Sequence, residues 1–437
     1  MAARPFHLAW FLQGSSIQAW GSPWTGNISE EWMHPSLFLD LVRNMERACF
    51  DYILIEDSIY IGQNWQDSRE IFLKNGMSVP RQEPSIVAAL MAAATTRLGI
   101  VPTLSTFAYH PYLTARIVGT LDQVSLGRSG WNMVTGSSDL SAQNFGMPHL
   151  PDHDDRYVMA EEYMQICKGL WGSWEPGAIV GDRKSRTLID HTKVHTIDFE
   201  GKYYSSRGPL NSGPLPSGQP VIAQAGGSVS GKRFAAKYAD TVVAAPRGIA
   251  AMKAYRDDVR AEAVAAGRNP DDCKILFLCS PIVAETMAEA ETRAAGRATA
   301  AAANVDMRLA QIGWSTNIDF SGHDLDAPVG ELTTNGHQSS LAMFVAKSGG
   351  KTLREAAIAY SSQGYCIDAV GTPEAVASQM AEAMEEVGGD GFLIVLPDVS
   401  RRSVATIVDG LVPELQQRGL TRRAYSHALL RDNLLEF

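Results

Sequence analysis

Tyr52-Ile53-Leu54-Ile55-Glu56-Asp57 decides the fold. Four apolar residues run without alternation and then stop at two carboxylates. An unbroken run of this length reads as a strand covered on both faces, which is the habit of parallel sheets. Working outward, Pro35 to Cys49 has helical spacing, with Leu37, Leu41, Met45 and Ala48 on one face. Phe6 to Phe11 is another strand-like run before it. Downstream, Glu83 to Thr96 reads as a helix with Pro84 in its first turn. Leu98 to Leu104 (strand), Tyr112 to Val124 (helix), Gly130 to Val134 (strand) and Asp154 to Trp174 (helix) continue the alternation.

The rhythm resumes at Gln219 to Ala225, then Gly231 to Tyr238, Thr241 to Ala244 and Ile249 to Ala266. Lys274 to Ala284 reads as a strand and Thr286 to Ala303 as an Ala-rich helix. Gly371 to Val387, Gly391 to Leu396 and Arg402 to Arg418 close the chain as helix, strand, helix. Repeated strand–helix units give a parallel sheet, and seven or eight of them predict closure into a TIM (β/α)8 barrel. All 437 residues are expected to form one barrel domain. Two stretches interrupt it. Glu175 to Ser217 is rich in Gly, Pro and Ser, with short runs suited to a hairpin. Asp306 to Ser340 is polar and loop-like. Both exceed plain connectors and read as covers or interface arms.

The formal net charge of −10 argues against nucleic acid as a partner, because phosphate-backbone binding needs clustered Lys and Arg. Five scattered cysteines without CxxC spacing read as reduced thiols. The N-terminus has no signal-peptide pattern and no apolar run is long enough to span a membrane, so the expected location is the cytoplasm. The histidines do not cluster at metal-ligand spacing, and HExxH, Walker and GxSxG motifs are missing. Difficult chemistry in such a chain points to a cofactor.

Asp57 and Thr103, with Ser105, lie at the C-terminal ends of expected strands, where barrel active sites form. Each equally suits a cap or local backbone partner. Gly127-Arg128-Ser129-Gly130-Trp131-Asn132-Met133-Val134-Thr135-Gly136 places Asn132 and Thr135 in an apolar context, where they need a hydrogen-bonding partner. His153 and Tyr157 share a helix face and can both donate to an anion. Ala225-Gly226-Gly227-Ser228-Val229-Ser230-Gly231 sits between strand and helix, which is a phosphate-cradle arrangement. It is not GxGxxG, so a dinucleotide fold is not supported.

Taken in order, these blocks resemble the nitrilotriacetate monooxygenase component A family, which includes dibenzothiophene sulfone monooxygenase, among the bacterial-luciferase-like flavin monooxygenases. The likeness is carried by Asp57; Thr103-Leu104-Ser105-Thr106 with His110-Pro111-Tyr112; Leu121 to Thr135; Asn144-Phe145-Gly146; His153-Asp154-Asp155-Arg156-Tyr157; Arg207-Gly208-Pro209-Leu210; and Gln224-Ala225-Gly226 with Ser228. The resemblance implies a barrel with insertions, assembled as a dimer or tetramer. It implies reduced FMN (FMNH2) as cofactor, delivered by a separate NAD(P)H:flavin reductase. FMN would be bound at Asp57, Thr103, His153, Tyr157 and Ser228, with Asn132 a weaker addition. The implied reaction is O2-dependent oxidation of a small organic substrate, at or next to nitrogen or sulfur. A deazaflavin-dependent oxidoreductase on the same barrel, or a non-catalytic flavin-binding protein, are the alternatives.

His110 is a candidate proton donor, with orientation of the following segment as its other role. Ser315, in Trp314-Ser315-Thr316-Asn317-Ile318-Asp319, stands where dibenzothiophene sulfone monooxygenase has a histidine, so a histidine-based role does not transfer. Trp10, Phe11, Trp20, Trp24, Trp65 and Trp314 are candidates for a substrate pocket. The segment Gln13 to Trp20, the arm Glu175 to Ser217 and its basic residues within Gly181 to Lys193 are candidates for specificity.

Overall fold

Each apolar run anticipated above becomes a barrel strand. The computed structural model describes residues 4–13, 24, 26, 27, 30, 33–362 and 364–437. Eight strands, β1 (His7–Leu12), β2 (Tyr52–Ile55), β3 (Gly99–Ser105), β4 (Gly130–Val134), β5 (Val221–Gln224), β6 (Thr241–Ala244), β7 (Lys274–Cys279) and β8 (Gly391–Ile394), form a closed barrel. Every pairing is parallel, and β8 closes on β1 with His7 opposite Gly391. A side chain at Gly391 would put its Cβ against the His7 backbone, so only glycine permits this closure.

The outer layer contains α1 (Ser36–Arg47), α2 (Pro84–Ala93), α3 (Pro111–Ser125), α4 (His153–Trp171), α5 (Val229–Tyr238) and α6 (Ile249–Ala265). After β7 come four inserted helices, α7 (Met287–Ala303), α8 (Val305–Thr316), α9 (Gln338–Ser348) and α10 (Leu353–Ser362), before α11 (Pro373–Val387) returns to the barrel wall. The starts are set by side chains. Glu83 accepts from Ile86 N–H with Pro84 at the first position, and Thr372 caps ahead of Pro373 in the same way.

Three apolar layers result. Ala9, Tyr52, Leu54, Val101, Ala223, Val243, Leu276 and Leu393 fill the barrel, and Leu430 and Leu434 of the C-terminal segment join them from below. A second layer lies between strands and helices, with Trp10, Phe50 and Phe392 in it. A satellite core of Trp65, Phe72, Leu309, Ile312, Phe320 and Phe344 ties the loop after β2 to the helices inserted after β7. It therefore builds a cover above the C-terminal ends of the strands.

Two expectations are corrected. Asp306 to Ser340 is not wholly loop: α8 occupies Val305–Thr316, because Val305, Leu309 and Ile312 form a buried stripe that surrounding polar residues disguised. Trp314 to Thr316 are thus its last turn, ended by Asn317 at φ +56°. Lys274 to Ala284 is not one strand. The run breaks at Ser280-Pro281, where proline offers no N–H, and Ile282–Val283 pairs with Val370–Gly371 in a separate two-stranded sheet. The arm Glu175 to Ser217 forms hairpins as its short runs suggest, with two antiparallel pairs, Ile179–Asp182 with Thr187–Ile189 and Phe199–Glu200 with Ser205–Ser206.

Candidate active site

The strand ends do what the barrel predicts: they converge. One cavity opens at the C-terminal end and is lined by Asp57, Thr103, Asn132, Thr135, His153, Tyr157 and Ser228 together. The five residues expected to bind a cofactor come from the turn after β2, from β3, from α4 and from the N-cap of α5, and the fold brings all of them to this cavity. Gln224, Arg156, Tyr60, Trp314 and His337 also face it.

On the strand side, Asn132 donates from Nδ2 to Thr103 Oγ1 at 2.8 Å. Its Oδ1 is buried and has no hydrogen-bond partner. Gln224, at the end of β5, makes a long contact from Nε2 to Tyr157 OH at 3.5 Å, and its Oε1 is likewise unsatisfied. Two buried amide carbonyls without donors cost free energy unless something in the cavity supplies N–H or O–H groups. A flat, hydrogen-bonding heterocycle fits that need.

The opposite wall is the turn from β5 into α5. Ser228 is the N-cap, and its Oγ accepts from Gly231 N–H at 3.0 Å. A Cβ on Gly226 would fall 2.5 Å from the Gly231 carbonyl oxygen, and one on Gly227 would fall 2.4 Å from Ser339 Cβ. The turn is therefore as close to its neighbours as backbone allows, at a helix N-terminus whose dipole favours an anion. Tyr157 packs 5.3 Å from the His153 ring in edge contact. Burial raises the Tyr157 phenol above its ordinary range, while Ser228 and Gln224 pull it back, so it stays a donor at neutral pH.

Charge is unevenly held. Asp57 lies behind Glu56, which pairs with Arg81 at 3.3 Å. Burial pushes the Asp57 carboxyl up to about 7, against the attraction of Arg81. A carboxyl near 7 can hold or release a proton under ordinary conditions. His337 lines the cavity as an exposed residue. Desolvation by the crowded wall, with Arg156 and His153 nearby, holds its imidazole below the ordinary range. Tyr60 donates to the Trp314 carbonyl at 2.8 Å and the two rings stack at 5.6 Å, forming an aromatic wall under the cover.

Other expected residues fall elsewhere. His110 is exposed and caps α3, its Nδ1 accepting from Tyr112 N–H at 3.2 Å. It is not among the cavity residues, and the cap matches the orienting role weighed for it. Ser315 turns onto its own helix, donating to Ile312 O at 2.9 Å. Of the aromatic candidates, Phe11 and Trp314 line the cavity. Trp10 and Trp65 are buried in the barrel-wall and satellite cores, and Trp24 donates to Asp40 at 3.0 Å. Trp20 and the segment from Gly14 onward lie outside the described residues. Sequence reading passed over Arg156, Tyr60 and His337. Arg156 was visible as the one cation in the His153-to-Tyr157 block. Tyr60 and His337 sit in irregular segments, where no period marks direction.

Among the described residues no cluster of His, Cys, Asp and Glu can hold a metal ion, and no helix is long and apolar enough to cross a membrane.

Comparison with known proteins agrees with this geometry. The family profile described as luciferase-like monooxygenase matches residues 14–391. Dibenzothiophene-sulfone monooxygenase of Rhodococcus erythropolis (strain XP) is 33% identical over 440 residues, covering 99% of this chain and 96% of that protein. Nitrilotriacetate monooxygenase component A of Aminobacter aminovorans is 34% identical, covering 91% of this chain and 89% of that protein. A crystal structure of riboflavin lyase with modified FMN and substrate riboflavin superposes with a TM-score of 0.88 at 31% identity, covering 99% of this chain and 96% of that one.

Proposed function

The chain belongs to the luciferase-like monooxygenase family and is a flavin-dependent monooxygenase, and on that premise we propose that its flavin is FMN, taken up reduced from a separate NAD(P)H:flavin reductase. One observation carries the reading. Two unsatisfied buried amide carbonyls and a glycine-serine helix N-terminus face a single cavity. Those are the needs of a molecule with a polar ring at one end and a phosphate at the other.

Ser228, the turn at Gly226-Gly227, Tyr157 and His153 would hold the phosphate. Thr103, Asn132 and Gln224 would meet the ring's polar edge, and Asp57 would lie beside it. Bound in reduced form, the flavin supplies the electrons that let dioxygen give one atom to the substrate and one to water. The chain's own part is positional. Tyr60, Trp314 and the cover above them exclude water, which protects reactive species from wasteful collapse. Asp57, titrating near 7, holds or yields a proton at its carboxyl. The relatives named above point to a small organic substrate oxidised at or next to sulfur or nitrogen. We further propose a cytoplasmic homodimer or homotetramer.

The test couples the purified protein to a flavin reductase with NADH and FMN under 18O2. Dibenzothiophene sulfone, dimethyl sulfide and nitrilotriacetate serve as candidate substrates. One of them, or a close analogue, is expected to gain 18O while the hydrogen peroxide yield falls. Full conversion of reducing equivalents to peroxide with every candidate would contradict the proposal.

A further inference from the structure

Among the described residues three arginines are almost fully buried, Arg128, Arg156 and Arg422, and the first two are treated in opposite ways. Arg128, 4% exposed, lies just before β4 at the N-terminal end of the barrel. Its five N–H groups all find acceptors: Ser125 O at 2.8 Å, Thr95 Oγ1 at 3.0 Å, Leu98 O at 2.7 Å, Ala92 O at 3.1 Å and Thr95 O at 3.0 Å. Arg156, 3% exposed, lines the cavity at the other end. Only Nη2 is engaged, donating to Asn335 O at 2.8 Å. Nε and Nη1 are buried and have no partner.

No carboxylate among the described residues forms an ion pair with Arg156. Asp139 and Asp152 are near enough to be felt electrostatically. Asp139, however, is occupied by Leu150 N–H at 2.9 Å and His149 at 3.4 Å. The nearby imidazole of His337 carries no negative charge in either protonation state and cannot compensate a cation. A buried guanidinium with free donors and no counter-charge is costly to keep, and the usual remedy is a bidentate oxyanion.

We propose that Arg156 is an oxyanion-binding residue of the cavity. It would pair through Nε and Nη1 with either the flavin phosphate or an acidic group on the substrate. His153 and Tyr157 flank it on the same face of α4, and Gly336 and His337 of the inserted segment close it from above. The proposal rests on the flavin reading only for the first of these two sources.

The experiment compares wild type, Arg156→Gln and Arg156→Lys in binding four probes: FMN, riboflavin, inorganic phosphate and, on flavin-loaded protein, succinate. If the flavin phosphate is the partner, Arg156→Gln loses about 10- to 100-fold in FMN affinity and inorganic phosphate binding, with riboflavin unchanged. If the substrate is the partner, both flavins bind as before and succinate binding is lost. Either result supports the proposal. Should Arg156→Gln fail to fold, Arg156→Lys keeps the charge and the Asn335 contact but not the fork, and is expected to weaken the same probe about 10-fold. Unchanged affinity for all four probes in a folded variant overturns it, leaving Arg156 as a tether for Asn335. Failure of wild type to bind either flavin counts against the flavin reading, while inorganic phosphate still reports on Arg156.

Discussion

The two ends of this barrel handle buried polarity by opposite rules. At the N-terminal end, the buried carboxylates Asp51 and Asp390 have partners. Asp51 accepts from Leu8 N–H at 3.0 Å, pairs with His7 at 3.1 Å and with Arg422 at 2.7 Å. Arg422 also reaches Glu436 at 2.6 Å, and Phe437 stacks on His7 at 4.4 Å, so the chain terminus plugs the barrel floor. Asp390 accepts from Ile275 N–H at 2.9 Å and pairs with Arg260 at 3.0 Å. At the C-terminal end, Asn132 Oδ1, Gln224 Oε1, Trp314 Nε1 and two nitrogens of Arg156 are unsatisfied. The difference separates stability from function. The lower end finds its counter-charges within the chain, even where single nitrogens of Arg260 and Arg422 carry no hydrogen bond, whereas Arg156 at the upper end forms no ion pair among the described residues.

Unpairing the floor should separate the two ends most clearly. Arg422→Met leaves Asp51 and Glu436 without their cation and is expected to cost about 3–5 kcal/mol, read by urea unfolding. FMN affinity of the folded fraction should be unchanged. Next, Gly226→Ala drives a Cβ onto the Gly231 carbonyl and should cost about 1–3 kcal/mol. Its diagnostic effect is on the upper end: flavin affinity, by fluorescence titration, should fall by at least about 10-fold, as for loss of charge-assisted hydrogen bonds.

The two ends should also differ in the sign of their pH dependence. Asp57 has a folded value of about 7 against an ordinary 3.8, so the native state binds its proton more tightly. Its contribution is full below about 4 and is lost as pH rises toward 7. Burial alone would raise Asp51 as well, but His7 and Arg422 hold it below the ordinary range. Its contribution is present above that range and is lost as pH falls. Melting temperatures of the flavin-free protein across pH 4 to 8 test this. Asp57→Asn should gain on wild type as pH rises, and an unchanged difference would remove Asp57 from the account. The smallest effect belongs to His110→Ala. Losing the α3 cap should cost about 1 kcal/mol with no change in flavin affinity.

Much of the barrel was legible because its strands are apolar runs and its helices carry caps. Gly130–Val134 and Thr241–Ala244 match expectation to the residue. What escaped was the cover. α8 was masked by Asp306, Arg308 and Gln311 interspersed among Val305, Leu309 and Ile312, and its apolar stripe faces a satellite core formed with a distant loop. The site divides the same way. Asp57, Thr103 and Ser228 follow from being at strand ends and a helix start, where topology dictates direction. His337 and Tyr60 are placed by tertiary packing of irregular segments, which no local period encodes. Arg156 shows the remaining gap: its position in α4 was readable, but its missing counter-charge was not.

If a phosphorylated flavin completes the upper end, anaerobic titration with reduced FMN, alongside a reduced deazaflavin, should separate the two cofactors. The account predicts saturable binding at one FMN per chain with a raised melting temperature, and weak or no binding of the deazaflavin. Absence of saturable FMN binding, or a preference for the deazaflavin, would contradict it.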